Sequence, residues 1–407
     1  MRVQPVPGWR MSVTDLGLPA PAEGAEHSAI AVSNDPNGRR PLIGNLDDRA
    51  YFLASSPATP GPQWWVVGLD VRNGQRLFAP VRLGATTRPP QCFLNGPTNV
   101  LCLNDDSSHT AYVVDLQSGI ASFTGTTDLR LGYATLAVEQ VGIYAVAKTD
   151  RQGVYGIGPR AETTWFVPGD GHIQSGPSPR FEPVPRALGT QLSADPRAYS
   201  MTVFSVSDGK VVKAQVDDGT HLEKTAVYPG GFAAEVVDGR KSLGVQFFDD
   251  AGKRLDGRGV KGSLTGSPGL PIVTSTDQSS VYSPDGHKLL DIPEGATRLV
   301  GTTLFVNENK SDAFPMWRQY DLKTGTKGQA CDFNMSNFLG TNGSAIVFAV
   351  TNPKAGFVAK ARDLVTCDTL WTLPSHVDSL GRVWRVNTAL VRLSDDGTEL
   401  SSLVARS

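Results

Sequence analysis

The chain has no run of about 18 apolar residues, the length a membrane-crossing helix needs, and no long stretch with helical periodicity. It has no dominant charge either. With 38 Lys and Arg against 40 Asp and Glu, the formal net charge is −2 and the pI is near 6.3, so there is no electrostatic reason to expect nucleic acid or an anionic membrane surface as a partner. Catalytic signatures are missing in the same way. No Gly-rich phosphate loop and no His-x-x-x-His occurs, and Gly266-Ser267-Pro268-Gly269 is not the Gly-x-Ser-x-Gly of a nucleophile elbow. Met1 to Trp9 lacks the basic-then-apolar order of a signal peptide, which taken literally reads as cytoplasmic.

The four cysteines, at 92, 102, 331 and 367, point the other way. None is spaced as Cys-x-x-Cys, which argues against zinc. Phe93 to Leu101 between the first two reads as a hairpin turning at Asn95 to Thr98, and folding it about Pro97 sets Cys92 opposite Cys102. Cys331 and Cys367 fall in neighbouring repeats, where a second bridge is reasonable. Two disulfides imply an oxidising compartment, so the expectation is an extracytoplasmic protein whose signal or membrane anchor has been removed. The Ala-, Gly-, Pro- and Arg-rich composition is of the kind found in a high-GC bacterium such as an actinomycete.

What the chain has in abundance is 43 Gly and 28 Pro, with 40% hydrophobic residues, the mixture of many short strands joined by turns. Trp317 to Asp321 alternates as a strand does, and Lys323-Thr324-Gly325 follows as a tight turn. Using the closing Asp-x-x-x-Gly as a ruler, Asp70 to Gly74, Asp115 to Gly119 and Asp321 to Gly325 share the full pattern. Weaker copies end at Gly209, Gly252, Gly286 and Gly397. Successive glycines are 45, 90, 43, 34, 39 and 72 residues apart. The double gaps hold degenerate copies at Gly156 to Arg160 and at Asp363 to Cys367, where a cysteine takes the glycine's place. A repeat of roughly 40 to 45 residues with several strands each is the mark of a β-propeller.

The expected fold is therefore all-β, a single propeller of about eight four-stranded blades with seven to nine admissible, its ring closed by N- and C-terminal strands. Residues 1–38 read as a leader that supplies the closing strand, and 39–407 as the propeller. Nine hairpins can be counted, but the 30 residues from Cys367 to Gly397 look short for a blade, which favours eight.

Val66 to Gly74, Ala111 to Gly119 and Gln319 to Gly325 resemble the repeats of the quinoprotein-like (PQQ-like) propeller superfamily, over most of residues 40 to 404. The resemblance implies the fold; many members bind no quinone and act as envelope scaffolds or sensors. Quinone-dependent members typically carry adjacent cysteines, which this chain lacks, so no cofactor is expected.

Propellers gather their second-to-third-strand loops and interblade crossovers on one face, around the channel mouth. The long connections here would meet there, including the Pro- and Gly-rich stretch 168–190. They carry Arg88, Arg130, His172, Arg180, Phe181, Phe314, Trp317, Phe338, His376 and Arg382, arginine and aromatic groups of the kind that anchor recognition. Asp105-Asp106 with His109 could hold a metal, though a solvated loop explains them as well. Trp64 and Trp65 must point to opposite sides of a strand and read as packing. The expected function is a noncatalytic, monomeric binding or scaffold protein for an envelope or membrane protein or an extracellular ligand, touching membrane only through the removed anchor. A channel-mouth enzyme of quinoprotein, hydrolase or lyase type, and a sensor ectodomain, are the alternatives.

Overall fold

The computed structural model describes residues 1–20, 28–30, 41–59, 61–132, 135–173, 188–194, 199–255, 259–265, 269–276, 278–309, 315–333, 335–350, 352–376 and 381–406. Nine separate antiparallel sheets follow one another along the chain. Five of the first eight blades show four consecutive strands in order: Gln91–Leu94 to Ile120–Thr126 (blade 2), Ala137–Val141 to Thr163–Pro168 (blade 3), Ser263–Thr265 to Lys288–Ile292 (blade 6), Thr297–Val300 to Lys327–Cys331 (blade 7) and Phe338–Thr341 to Thr369–Pro374 (blade 8). Blade 1 runs from Leu42–Leu46 to Val81–Ala85 and gains the short strand Ala29–Ile30. Blades 4 and 5 have three described strands each, Leu188–Leu192 to Val211–Val212 and Thr220–Tyr228 to Lys241–Phe248. Blade 9 is built from Arg382–Val386, Ala389–Leu393, Glu399–Val404 and, as its outermost strand, Val6–Ser12 from the other end of the chain.

That last sheet explains the short final gap. The ninth blade borrows its fourth strand from the N-terminus, so the count reaches nine, the upper end of the range and one above the eight favoured by spacing. The closing strand is Val6–Ser12, paired from Val6 with Val404 to Ser12 with Glu399.

The core is distributed in the same ninefold way. A sheet buried on both faces cannot form one central core, and its side chains pack instead against the next blade. Nine apolar clusters of described residues occupy the nine seams, among them Val141, Val154, Phe204 and Val206 between blades 3 and 4, and Ile292, Leu304 and Tyr320 between blades 6 and 7. The seam between blades 9 and 1 joins the ends of the chain: Trp384, Val391 and Leu400 pack with Phe52, Val67 and Leu69, and Val13, Leu16 and Leu18 fill the same cluster. Trp64 and Trp65 serve opposite seams, the first in the cluster shared with blade 2 and the second against the cluster shared with blade 9.

The repeating Asp-x-x-x-Gly is the turn between third and outermost strands. In it the glycine N–H donates to the carbonyl of the leading residue, as in Gly74 to Asp70, Gly119 to Asp115 and Gly325 to Asp321, with φ of 76°, 67° and 70°. Those angles lie in the left-handed region that suits glycine. The aspartate side chain accepts the next backbone N–H groups: Asp115 from Gln117 and Ser118, Asp321 from Lys323 and Thr324, Asp363 from Val365 and Thr366. These bonds favour the ionised form and hold Asp115, Asp321 and Asp363 below the ordinary aspartate range, while the Arg72 guanidinium does so first for Asp70. Depressed folded-state values mean that the associated stability is present above the unfolded aspartate value near pH 4 and is lost as pH falls through the lower folded values. The urea midpoint should therefore fall steadily below about pH 4, and Asp115→Asn should flatten that decline; equal slopes for variant and wild type would discount the turns as its source.

Candidate functional site

The topology separates tight turns from long connections. Connections from first to second and from third to fourth strands close one face; the second-to-third loops and the crossovers between blades form the other. Neighbouring loops on that second face bond to one another. Arg88, in the crossover from blade 1, lies 3.5 Å from Asp105 in the loop of blade 2; Thr127 N donates to His109 O; the His376 N–H donates to Asp395 at 2.9 Å.

Two adjoining clefts open in this face over blades 1 to 3. One, of about 400 Å³, is lined by Gly61, Ala85 to Arg88, Asp105 and Asp106; the other, of about 310 Å³, by Leu103 to Ser107, His109 and Leu129 to Leu131. The Asp105-Asp106 loop is the partition between them, with Arg88 on one side and Arg130 on the other. Arg130 is fixed by two bonds from Nη1 to the Thr127 and Leu129 carbonyls, while Arg88 is largely exposed. Cys92 and Cys102 face each other in register and are disulfide-bonded, four residues after Arg88 and three before Asp105, so the bridge ties together the two strands that extend into this ion pair.

Backbone conformation marks the same sector. His109, Leu136, Arg151 and Tyr199, all in loops of this face on blades 2 to 4, have φ between 44° and 57°. For bulky non-glycine residues this is costly and is kept only where surroundings over-determine it. Leu136 shows how: its N–H donates to Thr149 Oγ1 and its carbonyl accepts from Arg130 N.

The remaining expected residues divide. His172 is exposed beside Asp170 and Asp150, at 3.8 and 3.9 Å, and His376 is exposed beside Asp395. Trp317 packs against the cluster between blades 7 and 8, and its buried Nε1 has no hydrogen-bond partner among the described residues. Phe338 is 3% exposed in that cluster with the Arg298 guanidinium 4.9 Å above its ring, so it is spent on packing. Arg382 opens the innermost strand of blade 9. Arg180, Phe181 and Phe314 lie outside the described residues. The loops bring Arg88 and Arg130 together with the acidic pair, and leave His172, His376 and Arg382 dispersed around the ring.

Among the described residues no group of three or more His, Cys, Asp or Glu is arranged to hold a metal ion. Beneath the loop of blade 7, Glu308 accepts from Arg318 Nε at 2.7 Å and from the Tyr320 hydroxyl at 3.0 Å; burial first, and then Glu308, push the phenol up to about 12, so Tyr320 stays a neutral donor. Sequence reasoning singled out the aspartates and arginines of the clefts but missed the strained positions at Leu136, Arg151 and Tyr199, for which a single sequence carries no signal because none is glycine or asparagine.

Fold and face together define a closed propeller with one loop-rich face. The chain belongs to the family described as the conjugation-associated 9-bladed beta-propeller domain, whose model matches residues 1–406. A relative, an uncharacterized protein of Mycolicibacterium smegmatis (strain MKD8), is 38% identical over 423 residues, covering 100% of this chain and 86% of the relative. Similar solved structures include BamB from Moraxella catarrhalis (13% identity, TM-score 0.33, 89% of this chain and 96% of that one) and a eukaryotic initiation factor (11%, 0.47, 86% and 90%). At that distance they carry no functional argument.

Proposed function

We propose that this chain is a noncatalytic, extracytoplasmic scaffold of the conjugation machinery, with repeats of the quinoprotein-like type, that binds another envelope protein through its loop-rich face. The observation that carries the reading is the segregation of the long connections, among the described residues, to one face of a ring closed by its own termini, in a family described as conjugation-associated. Two disulfides support an oxidising compartment, and among the described residues no helix is long and apolar enough to cross a membrane.

The closing strand also sets an orientation. Val6 pairs with Val404 at the tight-turn end of blade 9, while Arg2 pairs with Asp363 in a tight turn of blade 8 at 2.5 Å. An anchor preceding this strand would leave from the tight-turn face and turn the loops outward, toward a partner.

The test is transfer frequency from a donor lacking the gene, complemented with wild type or with Arg88→Glu/Arg130→Glu. The deletion should lower transfer at least tenfold, and the double variant should fail to restore it while accumulating normally and keeping both disulfides, seen as a native mass four hydrogens below that of the reduced chain. Unchanged transfer in the deletion strain, or four free thiols in native protein, would sink this reading.

A further inference from the structure

The strained positions of the loop-rich face follow the repeat. Among the described residues, six blades enter their third strand through a residue in the left-handed region, placed one or two positions before that strand. Blades 5, 8 and 9 use Gly239, Gly356 and Gly397, with φ of 58°, 73° and 78°; blades 2, 3 and 4 use His109, Arg151 and Tyr199, at 47°, 57° and 44°. Glycine enters this region freely, whereas a side chain such as arginine or tyrosine carries a steric penalty there. The three costly choices fall on consecutive blades. Other non-glycine residues with positive φ have local reasons: Asp47 and Asn387 are of types that adopt it readily and sit in two-residue turns, Cys367 is bonded to Cys331, and Ala161 and Leu136 pack with the cluster between blades 2 and 3. Packing supplies no such reason for the three. Tyr199 is 70% exposed, the Arg151 side chain is 91% exposed, and His109 is exposed. Arg151 has Asp150 at 3.9 Å, a solvated ion pair of the kind that contributes little to stability.

The main chain at these positions is fixed from loop to loop. His109 O accepts from Thr127 N at 3.0 Å, Arg151 N donates to Asp170 O at 2.9 Å, and Asp170 N donates in turn to Leu192 O of blade 4 at 3.1 Å. Beside Tyr199, Ser200 O accepts from Ser193 N at 2.7 Å and Ser200 Oγ donates to Ser193 Oγ at 2.9 Å. Three side chains therefore stand in solvent on a braced arc that spans three blades. Backbone strain held in place by its surroundings, at residues whose own side chains are exposed, is the pattern of a functional site. Arg and Tyr are enriched among interface hot spots, all three side chains can donate hydrogen bonds, and a braced backbone lowers the ordering cost of binding. His109 lines a cleft, but Arg151 and Tyr199 stand clear of both clefts, so the three together suit a broad protein surface and not a small molecule held in one cavity.

We propose that His109, Arg151 and Tyr199 are the contact residues for a folded protein partner that lies across the loops of blades 2 to 4 and presents hydrogen-bond acceptors to them. The inference rests on the reading that this face meets a partner, but its test needs no transfer phenotype, so the two can fail separately. The photoreactive amino acid p-benzoylphenylalanine is placed at position 109, 151 or 199 of the full chain made in its own host. Controls carry it at Arg240, Lys354 or Asp396, exposed residues in the glycine-bearing loops of blades 5, 8 and 9. On irradiation the three test positions should give adducts of one shared mass, at least tenfold above the controls, and His109→Ala/Tyr199→Ala should cut the adduct from position 151 at least tenfold. In purified protein, His109→Gly/Arg151→Gly/Tyr199→Gly should melt above wild type because the strain leaves with the side chains, whereas the triple alanine variant, which keeps the strain, should not. Adducts of equal yield at the controls, no adduct or no shared mass at the three positions, an adduct of twice the chain mass, which would assign the face to a second copy, or a glycine variant that melts below wild type would overturn the assignment.

Discussion

Deleting residues 1–18 is expected to replace the cooperative unfolding of the ring with a broad transition at much lower temperature. The deletion removes the outermost strand of blade 9, whose partner Glu399–Val404 then presents a free edge. It also strips Val13, Leu16 and Leu18, all under 5% exposed, from the seam between blades 9 and 1. Burial of one such side chain is worth about 1.5–3 kcal/mol. Three of them therefore amount to roughly 5–9 kcal/mol, comparable with the whole net stability of an ordinary domain, about 5–15 kcal/mol. The loss is also not local. Trp9 Nε1 donates to the Val71 carbonyl of blade 1 at 2.7 Å and its ring lies over Gly74, so the same segment latches blade 9 to blade 1. Leu16→Ala is the graded version, expected to cost about 2–5 kcal/mol. Calorimetry of the three proteins distinguishes a latch from a loose leader: an unchanged melting profile in the deletion would show that the ring stays closed without it.

The repeat was legible because one turn is chemically demanding. A third-to-fourth-strand turn that needs a side-chain acceptor at its start and a left-handed residue at its end leaves Asp and Gly in fixed positions, and eight of the nine blades can be found by such turns or their degenerate copies. The same chemistry also misleads. Asp395-Asp396-Gly397 has the look of another copy, yet it connects second to third strands in blade 9, on the opposite face; the position where that blade's own copy would fall lies between Val404 and Val6, where the chain has its ends. This is why a ruler laid along the sequence left the last repeat short.

Loops were harder to read. Their placement on one face follows from strand order, but whether an aromatic at a strand's first residue points to solvent or into a seam depends on packing against the next blade, hundreds of atoms that no local pattern encodes. Phe338 went into the seam and Arg382 stayed half-buried at the rim, although both begin an innermost strand and both follow a crossover. Cys92 and Cys102 were easier, since register alone decides whether their two β-carbons meet.

The bridge between Cys331 and Cys367 is the second place where a single change should have a large effect. It joins the outermost strand of blade 7 to the turn of blade 8, and both sulfur-bearing residues pack with Phe305, Phe333 and Phe348 in that seam. In the chain-entropy view a closed loop of this size, with a separation of 36 residues, is worth about 4 kcal/mol, against about 3 kcal/mol for the separation of 10 at Cys92–Cys102. Cys367 has a further peculiarity. It occupies the turn position that is glycine in its relatives, at φ 63°, and donates its N–H to Asp363 O as they do. A left-handed conformation costs a non-glycine residue about 1–2 kcal/mol, so the cross-link is held in place partly against the backbone. Cys331→Ser/Cys367→Ser should then lower stability by the full amount, whereas Cys331→Ser/Cys367→Gly should recover about 1 kcal/mol of it by restoring the residue the turn prefers. Reductant should bring wild type to the midpoint of the serine variant under the same reductant, and change the glycine variant only through Cys92–Cys102. Measured by chemical denaturation, equal midpoints for the serine and glycine variants would show that the turn of blade 8 does not feel its missing glycine, and stability untouched by either would show that the seam holds blades 7 and 8 together without the covalent tie.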